Sequence, residues 1–292
     1  MTSEYPEPAL VEHRHLDLPG LRMHVAEAGR GSPVVLLHGV PQHWWEWRAV
    51  IPALAKDYRV IVPDLRGAGW TQAPATGYDR ETLVGDLLNL LDALGLDRVR
   101  IVAHDWSAIA AFLLCLEHSD RVHSYVSLAI PHPYMRFDVR LLGRFRNAWY
   151  QLPLLTPLVG VRGLAAGRQW LARQMLSYHD RPGAIEGSDL DLFLAPLRDR
   201  AYAKAVARLY RGFILPTGIA MMRGAYRETR LTTPTLVLTG EHDPVVRADL
   251  LGGPTGNADD LEVREIAGAS HFLVDDQPEI VVKHLLEFFA RH

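Results

Sequence analysis

The chain has 292 residues and a formal net charge of −3, with 48% hydrophobic and 22% charged residues. That composition supports one large core, or a core with an insertion. It offers no polyanion-binding surface, and the scattered basic residues form no nucleic-acid motif. The single cysteine, Cys115, excludes an intramolecular disulfide and is read as buried packing.

The opening "MTSEYPEPALVEHRH" carries prolines and acids and no apolar core of the kind a signal peptide needs. No apolar run approaches the roughly 20 residues that span a bilayer. A cytoplasmic protein with no membrane span is expected. Leu21 to Ala28 alternates as an early strand, and "VVLL" at 34–37 reads as a buried one that ends in the loop "HGVPQ". Trp44 to Ala55 has helical spacing, with Trp44, Trp45 and Trp47 read as packing. Tyr58 to Val62 is a strand ending in "PDLRGAGW", and Arg80 to Leu94 an amphipathic helix stopped by Gly95. A strand at Arg100–Ala103 and a helix at Ile109–Leu116 flank Asp105, and Val122 to Ile130 is the next strand.

From Tyr134 to about Arg230 the periodicity is helical, as in "RFRNAWYQL", "GRQWLARQML" and "AYAKAVARLYRGF". Strands return at "PTLVLT" (234–239) and "LEVREI" (261–266), and a closing helix runs from Pro278 to His292. Short β-branched runs alternating with helices imply a mostly parallel sheet covered by helices on both faces. The fold class is therefore α/β. The core comprises 1–133 and 231–292, and a helical lid is inserted at 134–230. Ligand sites in such sheets lie in the loops after the strands.

"RIVAHDWSAIAAF" (100–112) places a carboxylate in the most apolar part of the chain. A tight strand-to-helix turn around a nucleophile needs small flanking residues, as in the relaxed form of G-x-S-x-G. Centred on Asp105, the small positions are Ala103, Ser107 and Ala108. Centred on Ser107, they would be Asp105 and Ile109, so Ser107 is a spacer. Asp105 could instead simply cap the following helix. Against that, an acid and a histidine follow in the order nucleophile, acid, histidine: Asp243 in "TGEHDPVV" and His271 in "GASHFLVDDQPE".

In "LLHGVPQHWWEWR", "LRGAGWTQAPATGY" and "AHDWSA" the chain resembles the α/β-hydrolase superfamily and, within it, the epoxide hydrolases. The resemblance runs over nearly the whole sequence. It departs where the family usually has glycines and this chain has Ala103, Ser107 and Ala108. The resemblance implies the α/β-hydrolase fold and a cofactor-free hydrolase that turns a small apolar epoxide into a vicinal diol. By position it makes Asp105 the nucleophile, His271 the base and Asp243 its orienter. It implies a cis bond at Val40-Pro41 and an oxyanion hole from the Val40 and Trp106 amides. His38, Pro41, Trp106 and Phe272 would line the substrate site. Two tyrosines of the lid bind and protonate the epoxide oxygen in this family. "WYQ" and "LYR" match their contexts at Tyr150 and Tyr210, among lid tyrosines that also include Tyr134, Tyr178, Tyr202 and Tyr226.

A carboxylate nucleophile suits displacement at saturated carbon, and the resulting ester is hydrolysed by water. A haloalkane dehalogenase shares this machinery but needs N–H donors for halide, from Trp106 and from Trp149 or Trp170, since Val40 stands where an Asn often sits. A silent, ligand-binding homologue is a further alternative. No metal is expected. His13 with His15, and His118 with His123, lack ligand spacing and are read as surface histidines. A homodimer is compatible with the sequence, which does not decide it.

Overall fold

The computed structural model describes residues 5–6, 11–134, 149–179, 184–185, 187–244, 246–251 and 256–292. Eight strands form one sheet: β1 (Glu12–Leu18), β2 (Leu21–Ala28), β3 (Ser32–Leu37), β4 (Tyr58–Pro63), β5 (Val99–His104), β6 (Val122–Leu128), β7 (Thr235–Gly240) and β8 (Leu261–Ile266). Their order is β1-β2-β4-β3-β5-β6-β7-β8. β2 is antiparallel to both β1 and β4, and the remaining pairs are parallel.

The continuous apolar runs follow from burial on both faces. Val35, Leu37, Ile101 and Ala103 join the core on one face, which also holds Leu87 and Leu90 of one helix and Phe112 of another. Val34, Leu36 and Val102 join the core on the other face, against Trp44, Trp47 and Phe288. Each fully buried Val or Leu contributes roughly 1.5–3 kcal/mol, so alternation between two cores holds the sheet in register.

Helices α1 (Ile51–Leu54), α2 (Arg80–Ala93) and α3 (Trp106–Glu117) connect the first strands. Asp79 caps α2 by accepting the Thr82 amide at 2.9 Å, and Gly95 at φ 64 follows its end. Between β6 and β7 the described residues form α4 (Gln151–Leu155), α5 (Pro157–Ala165), α6 (Trp170–His179), α7 (Gly187–Leu194), α8 (Arg200–Leu209) and α9 (Leu215–Met222). The helical expectation for "RFRNA" falls on 144–148, outside the described residues. α10 (Ala248–Leu251), α11 (Leu273–Asp276) and α12 (Pro278–Phe289) complete the chain.

Three expectations need correction. β1 was not foreseen, because an edge strand reading "EHRHLDL", with little buried surface, shows no apolar stripe. The single helix expected over Trp44–Ala55 is a 3₁₀ segment, Trp44–Ala49, followed by α1. Pro52 lacks an N–H and so suits the start of a new helix rather than the middle of one. The four paired histidines are half-buried, not superficial. His13 stacks on His24 and Tyr5 and approaches His24 Nε2 at 3.0 Å.

Candidate active site

Asp105 lies between β5 and α3 with φ 54 and ψ −139, a conformation costing a non-glycine residue on the order of 1–3 kcal/mol. The surroundings enforce it. Its amide donates to the Leu128 carbonyl at 3.1 Å, and its carbonyl accepts the Ala108 amide at 2.9 Å. Ala103, Ser107 and Ala108, where the resemblance leads one to expect glycine, are fully buried around this turn. The carboxylate makes no capping bond to α3. The Ser107 hydroxyl is buried and donates to the His104 carbonyl at 2.8 Å, which makes it a brace inside the turn.

The loop after β3 approaches the same carboxylate. The Val40 amide donates to Asp105 Oδ2 at 3.0 Å, and the Val40-Pro41 bond is cis. Gly39 permits this approach: a Cβ there would lie 2.9 Å from both Asp105 Cβ and His104 Nδ1. His38 holds the loop, because its Nε2 accepts the Leu65 amide at 2.9 Å and its Nδ1–H donates to the Gly39 carbonyl at 2.8 Å.

His271, in the loop after β8, stands between two carboxylates. Its Nε2 is 3.7 Å from Asp105 Oδ1, and its Nδ1 is 2.9 Å from Asp243 Oδ2. Asp243, just beyond β7, is 1% exposed and also accepts the Val246 amide at 2.8 Å. Gly240 lets the two loops meet, since a Cβ there would strike the Ser270 and Ala269 carbonyls at 2.2 and 2.5 Å. Burial alone would lower the His271 pKa, but Asp243 and Asp105 outweigh it and raise the imidazole to about 10. Burial opposes the charge of Asp105 in turn, and His271, His104 and the Val40 amide hold it below the usual carboxylate range. Phe272 packs edge-on against His271, with centroids 5.4 Å apart.

Above Asp105 two phenols meet. Tyr150 precedes α4 and Tyr210 opens a π-helical turn, Tyr210–Ile214, after α8. The two phenols interact electrostatically with each other, and both feel the Asp105 charge. Burial, reinforced by Asp105, pushes both phenols above their ordinary pKa, so they stay neutral. Phe213 of the same turn stacks edge-on over Trp106 at 6.0 Å. Of the other tyrosines between β6 and β7, Tyr134 donates to the Thr229 carbonyl at 2.6 Å, Tyr226 lies under the Arg80 guanidinium, and Tyr202 borders a neighbouring cleft. The Tyr178 side chain is outside the described part.

That cleft, about 420 Å³ including its open mouth, is lined by His38, Val40, Pro41 and Trp106 and, from between β6 and β7, by Phe193 and Leu197. Trp149 and Trp170, candidate halide donors, are 41% and 48% exposed. No cluster of metal-ligating residues occurs among the described residues, and no helix there is long and apolar enough to cross a membrane.

Sequence reasoning passed over Glu46 and His104. Glu46 Oε1 lies 2.9 Å from His104 Nδ1, with both side chains fully buried. Three tryptophans around Glu46 mark the segment as packing and leave the acid without a local signal of its own. An acid at a core position was the available clue.

Residues 32–278 match the family described as alpha/beta hydrolase fold. The soluble epoxide hydrolase of Corynebacterium sp. (strain C12) is 28% identical, over 96% of this chain and 98% of its own. Epoxide hydrolase A of Mycobacterium tuberculosis (strain ATCC 25618 / H37Rv) is 31% identical, over 95% and 97%. Among solved structures, epoxide hydrolase CorEH superposes with a TM-score of 0.82 at 26% identity, covering 96% of this chain and 99% of that one.

Proposed function

The chain belongs to the α/β-hydrolase superfamily and within it to the epoxide hydrolase family, and we propose that it opens apolar epoxides to vicinal diols through an ester on Asp105. The observation that carries this reading is the pair of buried, neutral phenols, Tyr150 and Tyr210, which feel each other and the Asp105 carboxylate. An opening epoxide leaves an alkoxide, and a phenol can protonate it without adding charge to the buried site. The inserted segment 134–230 acts as the lid that brings the phenols there.

Asp105 Oδ2 is held by the Val40 amide, which leaves Oδ1 to attack an epoxide carbon. The C–O bond breaks, and the alkoxide takes a phenol proton. The imidazolium of His271 restores that proton. Alkylation removes the Asp105 charge, one of the two carboxylates that raise His271, so the imidazole becomes a competent base only once the ester exists. Its Nε2, facing Asp105, then deprotonates a water that attacks the ester carbonyl carbon. The Val40 and Trp106 amides stabilise the oxyanion, each such donor being worth roughly 3–4 kcal/mol. Diol leaves, and the carboxylate and imidazolium reform, with Asp243 holding the ring throughout. The chemistry calls for no cofactor. His38, Pro41, Trp106 and Phe272 shape the substrate site.

A halide leaving group would need a second enclosed N–H, and the exposed indoles of Trp149 and Trp170 supply none. A silent binding protein would have no use for a strained nucleophile turn. The test is a product assay with styrene oxide and 1-bromobutane. Diol formation with little bromide release supports the reading. Faster bromide release makes the protein a dehalogenase, and neither product makes it a binding homologue.

A further inference from the structure

Tyr210 opens the π turn Tyr210–Ile214, and the stretch "YRGFILP" (210–216) explains why the helix widens there. The Leu215 amide donates to the Tyr210 carbonyl, one residue further back than in an α-helix. In an α-helix the amide of residue 216 would donate to the Gly212 carbonyl. Pro216 has no N–H, and a proline ring presses on the carbonyl four residues before it. A wider turn relieves that clash and needs no such bond. Pro216 is itself exposed, so it fills no part of the core.

Glycine is a poor helix residue, because it gives up the most backbone freedom on folding. At Gly212 a close approach requires it. A Cβ there would lie 2.4 Å from the Tyr78 carbonyl oxygen, well inside van der Waals contact. Tyr78 belongs to the loop after β4 and is held in place. Its hydroxyl donates to the Pro74 carbonyl at 3.1 Å, and Arg208 of α8 donates to the same carbonyl at 3.5 Å. Gly67 of that loop admits α8 as closely, since a Cβ there would meet the Ala205 Cβ at 2.5 Å. At its start the loop is tied to the core, where the Leu65 amide donates to His38 Nε2 at 2.9 Å. α8 and the π turn therefore rest on a shelf anchored beside the Val40 loop. Gly218 of α9 shows the contrast, because a Cβ there would meet nothing.

The same turn presents its buried side to the nucleophile. Phe213 packs edge-on against Trp106, and Tyr210, three residues before it, is 4% exposed. Regular α-helical winding through 210–216 would rotate Tyr210 by about 100° relative to α9. A side chain at Gly212 would push the turn off Tyr78 and carry Tyr210 with it. We propose that Gly212 and Pro216 are positioning residues: together they form a π turn that seats on the Tyr78 carbonyl and so fixes the Tyr210 phenol at the Asp105 site. This rests on the role given above to Tyr210.

The experiment separates the position of the phenol from its chemistry. In protein labelled with 3-fluorotyrosine, the Tyr210 fluorine resonance is the one lost in Tyr210→Phe. Gly212→Ala and Pro216→Ala should each shift it, and Gly218→Ala should not. In a single turnover with styrene oxide, read by rapid quench and intact mass, both variants should slow the appearance of the Asp105 ester. The expected loss is about 10- to 100-fold, the cost of a displaced reacting group, with the disappearance of the ester unchanged. Pro216→Ala places a good helix former at an exposed position and serves if Gly212→Ala does not fold. An unshifted resonance overturns the proposal. So does equal slowing of both steps, or an unchanged rate of ester formation where Tyr210→Phe slows it. If the wild type forms no ester, or Tyr210→Phe forms it at the full rate, the reading of Tyr210 as proton donor fails, and a shifted resonance still supports the turn as the device that places the phenol.

Discussion

Tyr150, just before α4, and Tyr210, just after α8, are both buried, and each phenol feels the other and the charge of Asp105. Tyr150→Phe and Tyr210→Phe are each expected to lower kcat/KM for styrene oxide by about 10²-fold, within the range of a single general acid. The double substitution should leave almost no turnover. Full epoxide activity in both single variants would remove the pair from the mechanism.

The nucleophile is tested by oxygen tracing. A single turnover with excess enzyme in oxygen-18 water should yield diol carrying mostly oxygen-16, because the new oxygen comes from Asp105. Label should appear in later turnovers, once hydrolysis has placed it in the carboxylate. Immediate labelling would make Asp105 a general base.

In the proposed cycle only ester hydrolysis needs His271 as a base, and a phenol that has given up its proton can regain one from water, so alkylation should survive the loss of His271. After epoxide addition, His271→Gln is expected to gain the mass of one substrate, mapped to Asp105, and to release it very slowly. Asp243→Asn should show milder trapping, because the imidazole remains but loses the partner at 2.9 Å. A folded His271→Gln protein that binds substrate without gaining mass contradicts the covalent route. An adduct on Ser107 would place the nucleophile there instead.

His43 ties the lid to the core as a neutral ring. Its Nδ1 accepts the Trp45 amide at 3.4 Å, and its Nε2–H donates to the Leu192 carbonyl of α7 at 3.2 Å. Burial lowers its pKa to about 4. In the unfolded chain the same group titrates near 6.5, so between those values the unfolded state binds the extra proton. Stability therefore falls as pH drops from about 6.5 to about 4, by roughly 3 kcal/mol from His43. His13, also lowered to about 4, acts in the same direction. Thermal melts across that window should show the decline. His43→Asn, which keeps a capping oxygen, should flatten it, and an unchanged slope would discount His43.

The features legible in the sequence were those written in short windows. Apolar runs at 34–37 and 234–239 announced buried strands, because a strand covered on both faces needs apolar residues at every position. The small residues around Asp105, and the acid and histidine that follow in order, marked the nucleophile turn, because backbone crowding at one tight turn is a local requirement. Tyr150 and Tyr210 could be singled out only by resemblance to a family. That they meet was decided by the packing of the lid, in which the π turn at Tyr210 and the contact of Phe213 with Trp106 set the orientation. β1 stayed hidden because an edge strand needs little apolar surface, and its pairing with β2 satisfies the backbone regardless of side chains. Glu46 and His104 lie far apart in the chain, and nothing near either one announces the other. Only tertiary packing brings Glu46 Oε1 within 2.9 Å of His104 Nδ1 and seals both side chains from water, because polar groups are buried where the fold sets another polar group beside them.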